Sequence, residues 1–474
     1  MSSLRRFAPV FLAIAASASS VAAQASLAGV TSTTRQISGK AYYEVTATMN
    51  GPPSRPYVVP ILLLYPVNPS ENNDTAIVDL LNQTPMALRA ADTGGAEYAP
   101  AVPMGRVLLG DDFIARFGYA YASIQWDREM IPFINFHEGT SYSIPTDIDQ
   151  LKIVFDVGLL LNQPPSCIPG TLNASTRLAF GFSASTAPLQ TALDHPVLRS
   201  AFSASFDGAM LAAPVRVNQP FVSLQGLPAG LGGSGGGSDV KTIVVMTETE
   251  LQLLDGKAMR GQSSNYRSYE IAGAAHNPTN LVPLGPLTGL PGVSATVRQN
   301  PMAMGQVLRA MMNQLRTWTL GNGVPPPSVE LGNPFNTHNR TDFSTAFAGV
   351  EKIMDVPRSA ADGHALYGIR LPPIEAPIGL HTGTETIAGM PFSATTIGQM
   401  LSGTFDVYSG PVLAALYPDH DAYVQAVATA AFAAHAAGWI LDYDRDAYIA
   451  TAAASAVGTG VALTEAQILA CFAL

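Results

Sequence analysis

The stretch Arg177-Leu-Ala-Phe-Gly181-Phe-Ser183-Ala-Ser185-Thr186 decides how the rest of the chain is read. It is a short apolar strand that runs straight into a sharp turn with a serine at its apex. In a G-x-S-x-G turn of this kind the serine takes a strained backbone conformation between a buried strand and the following helix. The positions two before and two after it must be small, so that strand and helix can cross closely. Gly181 fills the first small position and Ser185 the second, so the pattern here is G-x-S-x-S. Two nearby sequences compete with it. Gly232-Gly-Ser234-Gly-Gly236 is the literal motif, but it lies in a glycine run with no strand before it and no helix after it, and reads as a loop. Ala201-Phe-Ser203-Ala-Ser205 repeats the turn with alanine in place of the first glycine, and is expected to lie on the next strand.

Strand and helix signals alternate around this turn. Ala41–Thr48, Tyr57–Tyr65, Thr75–Leu81 and Gly118–Trp126 read as strands, Leu108–Phe117 and Thr146–Leu161 as helices. Past the turn, Thr186–Leu193 reads as a helix, Ala201–Phe206 and Thr242–Met246 as strands, and residues 212–238 as a Pro/Gly-rich excursion. Such alternation predicts an α/β fold with a mostly parallel sheet covered by helices. From about residue 301 the chain becomes mainly helical, with Pro301–Leu320, Asp419–Trp439 and Asp442–Ala456 as helices.

Length and composition agree with that reading and exclude others. The chain has 474 residues, of which 47% are hydrophobic and 13% charged, enough to bury a large core. A net charge of −10 without a lysine or arginine block argues against a nucleic-acid partner. Arg5 and Arg6 precede the apolar run Phe7–Ala16, and Val21-Ala22-Ala23 offers a cleavage site before Gln24. Residues 1–23 therefore read as a signal peptide, residues 24–474 as the mature, secreted or periplasmic domain, and no later segment has transmembrane length. Cys167 and Cys471 either form one disulfide or remain two buried thiols, and two cysteines without C-x-x-C do not make a zinc site. No nucleotide, heme or metal motif appears, and no cofactor is expected.

If Ser183 is a nucleophile, it needs a base and an acid from loops after later strands, in the order serine, carboxylate, histidine. The strand Thr242–Met246 leads directly into Thr247-Glu248-Thr249-Glu250, which places two carboxylates where the acid belongs. Glu250, four positions beyond the strand, is the first choice, and Glu248 is the alternative. Tyr269–Ile271 is a short strand followed by Ala272-Gly-Ala-Ala275-His276, and the small neighbours leave His276 room to approach a serine; His381 is the second choice of base. Negative charge on a carbonyl oxygen would be met by the Ala184 backbone N–H and by a second N–H near Asn82 and Gln83, after the third predicted strand. Arg358 and Arg370 are expected to form structural ion pairs, and Trp318 to lie in the core.

These pieces resemble the secreted bacterial α/β-hydrolase-domain proteins, a group of serine hydrolases. The resemblance runs through Asn73–Asn82, Gly118–Trp126, Gly181–Ser185, Phe206–Gly208, the Thr-Glu-Thr-Glu segment and Tyr269–His276, and continues in Trp318–Pro327 and Tyr367–Pro372. It implies an α/β-hydrolase fold and cleavage of a small-molecule or lipid-like carboxylic ester through an acyl-enzyme. An inactive binding protein and an acyltransferase using the same triad are the alternatives. Similar proteins carry glutamine at the position of Ala184 and aspartate at that of Glu250, so the acid and the pocket depart from the group's pattern.

Overall fold

The computed structural model describes residues 24–82, 103–145, 150–214, 239–253, 256–277, 297–302, 304–332, 337–339, 352–354, 356–383 and 401–472. They fall into two compact units. One takes the chain up to Ile243 with Ser263–Tyr266 and Gln314–Val324; the other takes Val244–Gln262, Arg267–Asn313 and Pro325–Leu474.

The first unit is built on β1 (Ser26–Ile37), β2 (Lys40–Asn50), β3 (Val58–Pro66), β4 (Thr75–Leu80), β5 (Ala120–Ile124), β6 (Thr176–Phe182) and β7 (Gly208–Ala212). Their order is β1-β2-β3-β5-β4-β6-β7, continued by β8 (Lys241–Thr247) and β9 (Tyr266–Ile271), whose residues Lys241–Ile243 and Tyr266 belong to this unit. β1, β2 and β3 join antiparallel, and β3 meets β5 antiparallel. From β5 through β4 and β6 to β7 the pairing is parallel. Every residue of β4, β5, β6 and β7 is buried, which is why these strands read as mainly apolar runs, interrupted by Asp79 in β4 and Arg177 in β6: a parallel strand is covered on both faces. β1 (SLAGVTSTTRQI) is mostly exposed. An edge strand with one poorly covered face needs no apolar alternation, so it left no signal in the sequence.

Helices cover the sheet as expected, with several corrections. The predicted helix Leu108–Phe117 is two helices, α1 (Met104–Leu109) and α2 (Asp111–Phe117), separated by Gly110 at φ 86°. α3 (Gln150–Asn162) begins after residues 146–149, which lie outside the described residues. Ala201–Phe206 is not a strand: it falls in and just beyond the helix α5 (Pro196–Ser205), and the strand starts two residues later, at Gly208. The apolar spacing Leu198, Ala201, Phe202 buries one helical face, and over a few residues that spacing also fits a strand. The strand carrying Asn82 at its end is the fourth, not the third, because β1 precedes the others. Of the 212–238 excursion, residues 215–238 lie outside the described residues, as does the segment 1–23.

The second unit holds the rest of β8 and β9, a three-stranded antiparallel sheet in the order Val297–Gln299, Thr404–Val407, Gly379–Thr382, and the helices His420–Ala436 and Asp442–Ala454. Asp419 caps the first of these helices, its side chain accepting from the Ala422 N–H at 2.8 Å. Trp318 is buried, as expected. Among the described residues no helix is long and apolar enough to cross a membrane.

Candidate active site

Ser183 stands at φ 55°, directly between β6 and a helical turn at Ser183–Ser185 that leads into α4 (Thr186–Asp194). A left-handed backbone is rare for serine and costs energy, so the surroundings must enforce it. Gly181 shows how closely strand and helix cross: a Cβ there would lie 2.7 Å from the Ser185 carbonyl oxygen and 3.0 Å from the Thr186 Cα. Ser185 adds what a second glycine could not. Its hydroxyl accepts from the Phe182 N–H at 2.9 Å and donates to the Phe182 carbonyl at 2.9 Å, and it is fully buried. Thr186 donates to the Ser183 carbonyl at 2.7 Å, and Gln190 donates to the Thr186 hydroxyl at 2.8 Å. The departure from G-x-S-x-G therefore tightens the turn.

Ser203 has none of this. It is an exposed residue on α5 whose hydroxyl donates to the Arg199 carbonyl at 2.9 Å. Ser234 lies outside the described residues. Of the groups expected to stabilise an oxyanion, Ala184 follows the serine in the elbow turn, and Asn82 lies buried just past β4. The chain at that point is held by the Leu81 N–H donating to the Ile124 carbonyl at 3.1 Å, and by the Trp126 indole N–H donating to the Leu81 carbonyl at 3.1 Å. Gln83 lies outside the described residues.

In the second unit, β8 runs directly into α6 (Glu248–Leu253), so both carboxylates lie in the first turn of a helix rather than on a loop. The two point to different partners. Glu250 is fully buried, and its Oε1 lies 2.6 Å from Nδ1 of His276. Its Oε2 accepts from the Thr247 N–H at 2.5 Å and from the Thr247 hydroxyl at 2.7 Å. Both carboxylate oxygens are thus occupied, and Nδ1 bonded to a carboxylate is the protonated nitrogen, which leaves the lone pair on Nε2. Glu248, equally buried, accepts from the Gly273 N–H at 2.8 Å, from the Gly383 N–H at 3.0 Å and from Arg358 at 2.8 Å. It ties three chain segments together around an ion pair. Arg358 is consumed in that pair, and Arg370 pairs with Glu375.

His276 follows β9 on the expected small-residue segment, and its N–H donates to the Thr249 hydroxyl at 3.0 Å. Thr249 in turn donates to the Gly383 carbonyl. The small residues are required by packing within the unit. Gly273 sits at φ 71°, where a Cβ would meet Ile374 at 2.3 Å; the buried Ala274 and Ala275 pack on Gly383 and Gly403, where a Cβ would lie 2.6 Å from the Ala274 carbonyl oxygen and 2.9 Å from the Ala275 Cβ. His381, the second choice of base, is fully buried between the rings of Phe405 and Phe472, with Nδ1 2.9 Å from the Asn300 side-chain oxygen. Desolvation pushes its pKa well below the ordinary histidine value, so it stays neutral. Cys167 is exposed and Cys471 half-buried, and both are free thiols.

Ser183 belongs to the first unit and the Glu250–His276 pair to the second. A residue that sequence reasoning passed over is Thr247. Thr247-Glu248-Thr249-Glu250 carries the T-x-x-E capping pattern: Glu250, third in the helix, reaches back to the Thr247 N–H, while the Thr247 hydroxyl accepts from the Thr249 N–H, second in the helix, at 3.3 Å.

A strand turning through a left-handed serine into a helix, on a mostly parallel sheet, is the hallmark of one class of enzymes. The chain belongs to that class: it is a member of the alpha/beta hydrolase domain family, which it matches over residues 27–450. Among curated proteins, none matches its sequence. Solved structures similar to it include a glucuronoyl esterase from Teredinibacter turnerae, 13% identical over 40% of this chain and 46% of that one, with a TM-score of 0.24. Another is an esterase from Rhizomucor miehei, 10% identical over 68% of this chain and 93% of that one, with a TM-score of 0.32. A third is acetyl xylan esterase 1 from a Thermoanaerobacterium species, 8% identical over 56% of this chain and 84% of that one, with a TM-score of 0.31. The chain spans about half the length of the first of these.

Proposed function

We propose that this protein is a serine hydrolase that cleaves a carboxylic ester through an acyl-enzyme, with Ser183 as nucleophile, His276 as general base and then general acid, and Glu250 as the carboxylate that orients it. The observation that carries the reading is the left-handed Ser183 at the head of β6. It is joined by a buried histidine already hydrogen-bonded through Nδ1 to a carboxylate. In the reaction, Nε2 of His276 takes the Ser183 proton as the hydroxyl attacks the carbonyl. The resulting imidazolium is steadied by Glu250 and then protonates the leaving alcohol; water repeats the sequence on the acyl-enzyme. The Ala184 N–H and a donor after β4, at Asn82 or Gln83, would receive the oxyanion, each contributing about 3 kcal/mol to the barrier reduction. Export through the leader 1–23 is part of the same proposal, and mass spectrometry of the mature protein tests it: an N-terminus other than Gln24 or its near neighbours would count against it.

A fluorophosphonate probe tests the chemistry. The purified protein should be labelled at Ser183, and Ser183→Ala should lose both labelling and ester turnover, the latter by roughly a thousandfold or more. Labelling that persists in Ser183→Ala overturns the assignment.

A further inference from the structure

Within the first unit a carboxyl group is buried with no ion-pair partner among the described residues. Asp79 lies in β4, fully buried, paired in register with Ser123 on β5 and Phe180 on β6. Its Oδ2 accepts from the Tyr121 hydroxyl at 2.5 Å and from the Gly105 N–H at 2.8 Å. Oδ1 has no hydrogen-bond partner. Arg106, next to Gly105, has its guanidinium engaged by Asp111 at 2.6 Å and Glu44 at 2.9 Å. Burying such a group is expensive, so a fold that keeps it must use it.

The position shows what it holds. Gly105 opens α1, and a Cβ there would lie 3.0 Å from the Asp79 carboxyl carbon and 3.0 Å from the Phe180 ring. The carboxyl, on β4 three residues before Asn82, thus bonds β5 through Tyr121 and α1 through Gly105, and Gly105 in turn packs against the Phe180 ring of the nucleophile strand, three residues before Ser183. We propose that Asp79 is a positioning residue: by holding α1 against β4 and β5, and through Gly105 against Phe180 of β6, its carboxyl fixes the chain just past β4 at Leu81 and Asn82, where the second oxyanion donor is expected, relative to the nucleophile strand. The proposal rests on the serine hydrolase reading above. Misplacing a donor by about an ångström costs on the order of a hundredfold in rate, because the oxyanion is bound tightly only in the transition state.

The test compares Asp79→Asn, which keeps an acceptor oxygen for Tyr121 and Gly105, with Asp79→Leu, which removes it at similar volume, and with Tyr121→Phe. Ser183→Ala is run beside them on a simple aryl ester. Asp79→Leu is expected to lower kcat by roughly 30-fold or more, with KM changed by less than about threefold, and to slow fluorophosphonate labelling of Ser183 in proportion. Tyr121→Phe should lower kcat by a smaller factor, and Asp79→Asn should restore most of it. A folded Asp79→Leu with unchanged kcat, or one in which only KM rises, overturns the positioning role. If Asp79→Leu does not fold, Tyr121→Phe decides by the same split, since it deletes only the hydroxyl. Activity that survives in Ser183→Ala overturns the hydrolase reading instead, so the two failures are distinguishable.

Discussion

Asp79→Asn makes a stability prediction whose sign can be worked from the structure. Desolvation pushes the Asp79 carboxyl up from its ordinary 3.8 to about 7, despite the hydrogen bonds from Tyr121 and the amides of Gly105 and Arg106. The folded protein therefore holds this proton over a window in which the unfolded chain has already released it. Below about pH 4 both states are protonated and Asp79 contributes no pH-dependent term. As pH rises from about 4 to about 7 the folded state becomes progressively less favoured, and above 7 the penalty is constant. A displacement of about three pH units, at 1.36 kcal/mol per unit, makes the full penalty on the order of 4 kcal/mol. Asparagine carries no proton to lose, so the unfolding free energy of Asp79→Asn minus that of the parent should rise by that order between pH 4 and pH 8. Tyr121, the titratable group facing Asp79 from β5, has its pKa raised well above the ordinary value and does not ionise in this window. All other groups are common to the two proteins and cancel in the difference. Urea titrations followed by tryptophan fluorescence at several pH values measure it, with Trp126 buried in the same unit as a reporter. A difference that is flat across the window would show that the carboxyl is not destabilised by burial. One that falls with pH would show that the folded state prefers it ionised.

Three further outcomes follow from the proposed site. Glu250→Gln should cut ester turnover by roughly a hundredfold to ten-thousandfold while leaving the fold intact, because it disturbs the tautomer and charge of His276. Glu248→Gln should instead destabilise the second unit by about 3 kcal/mol, by breaking a buried ion pair and one of the two amide contacts, and should leave turnover of the folded protein near the parent's; kcat and thermal denaturation on both variants check this, and the reverse ranking transfers the acid role to Glu248. Ser185→Ala removes both bonds to Phe182, which should cost about 1–3 kcal/mol and slow fluorophosphonate labelling of Ser183; an unchanged melting temperature and labelling rate would refute the locking role of that hydroxyl.

What could be read from the sequence was what physics writes locally. The elbow was legible because a glycine two residues before a serine, at the end of an apolar strand, has few other uses, and Gly181 indeed meets the backbone of Ser185 and Thr186. The central strands were legible because burial on both faces demands mainly apolar runs, as in β6 and β8. Features set by long-range packing were not legible. β1 is an exposed edge whose partner, not its composition, makes it a strand. The segment around Ser203 repeats the elbow's letters, but the proline at position 196 starts a helix through it. The different duties of Glu248 and Glu250 depend on Gly273, Gly383 and Arg358, which arrive from far along the chain.

The T-x-x-E pattern was written locally and explains why a glutamate can stand where the resembling group carries aspartate. At the third position of α6, a carboxylate that reaches back to the Thr247 N–H closes a capping box and satisfies a donor at the start of the helix. Aspartate can make the same backward bond from the third position of a helix, as Asp444 does to the Leu441 N–H at 3.3 Å, so what the longer side chain adds is reach for a second partner. With Oε2 fixed by the Thr247 amide and hydroxyl, Oε1 is left pointing at Nδ1 of His276, 2.6 Å away. Helix capping and histidine orientation therefore become one geometric requirement: the contacts that start α6 also pre-set the carboxylate, with no further side chain needed to hold it. The glutamate meets the cap and the imidazole at once, so its departure from the common pattern is compatible with the proposed chemistry.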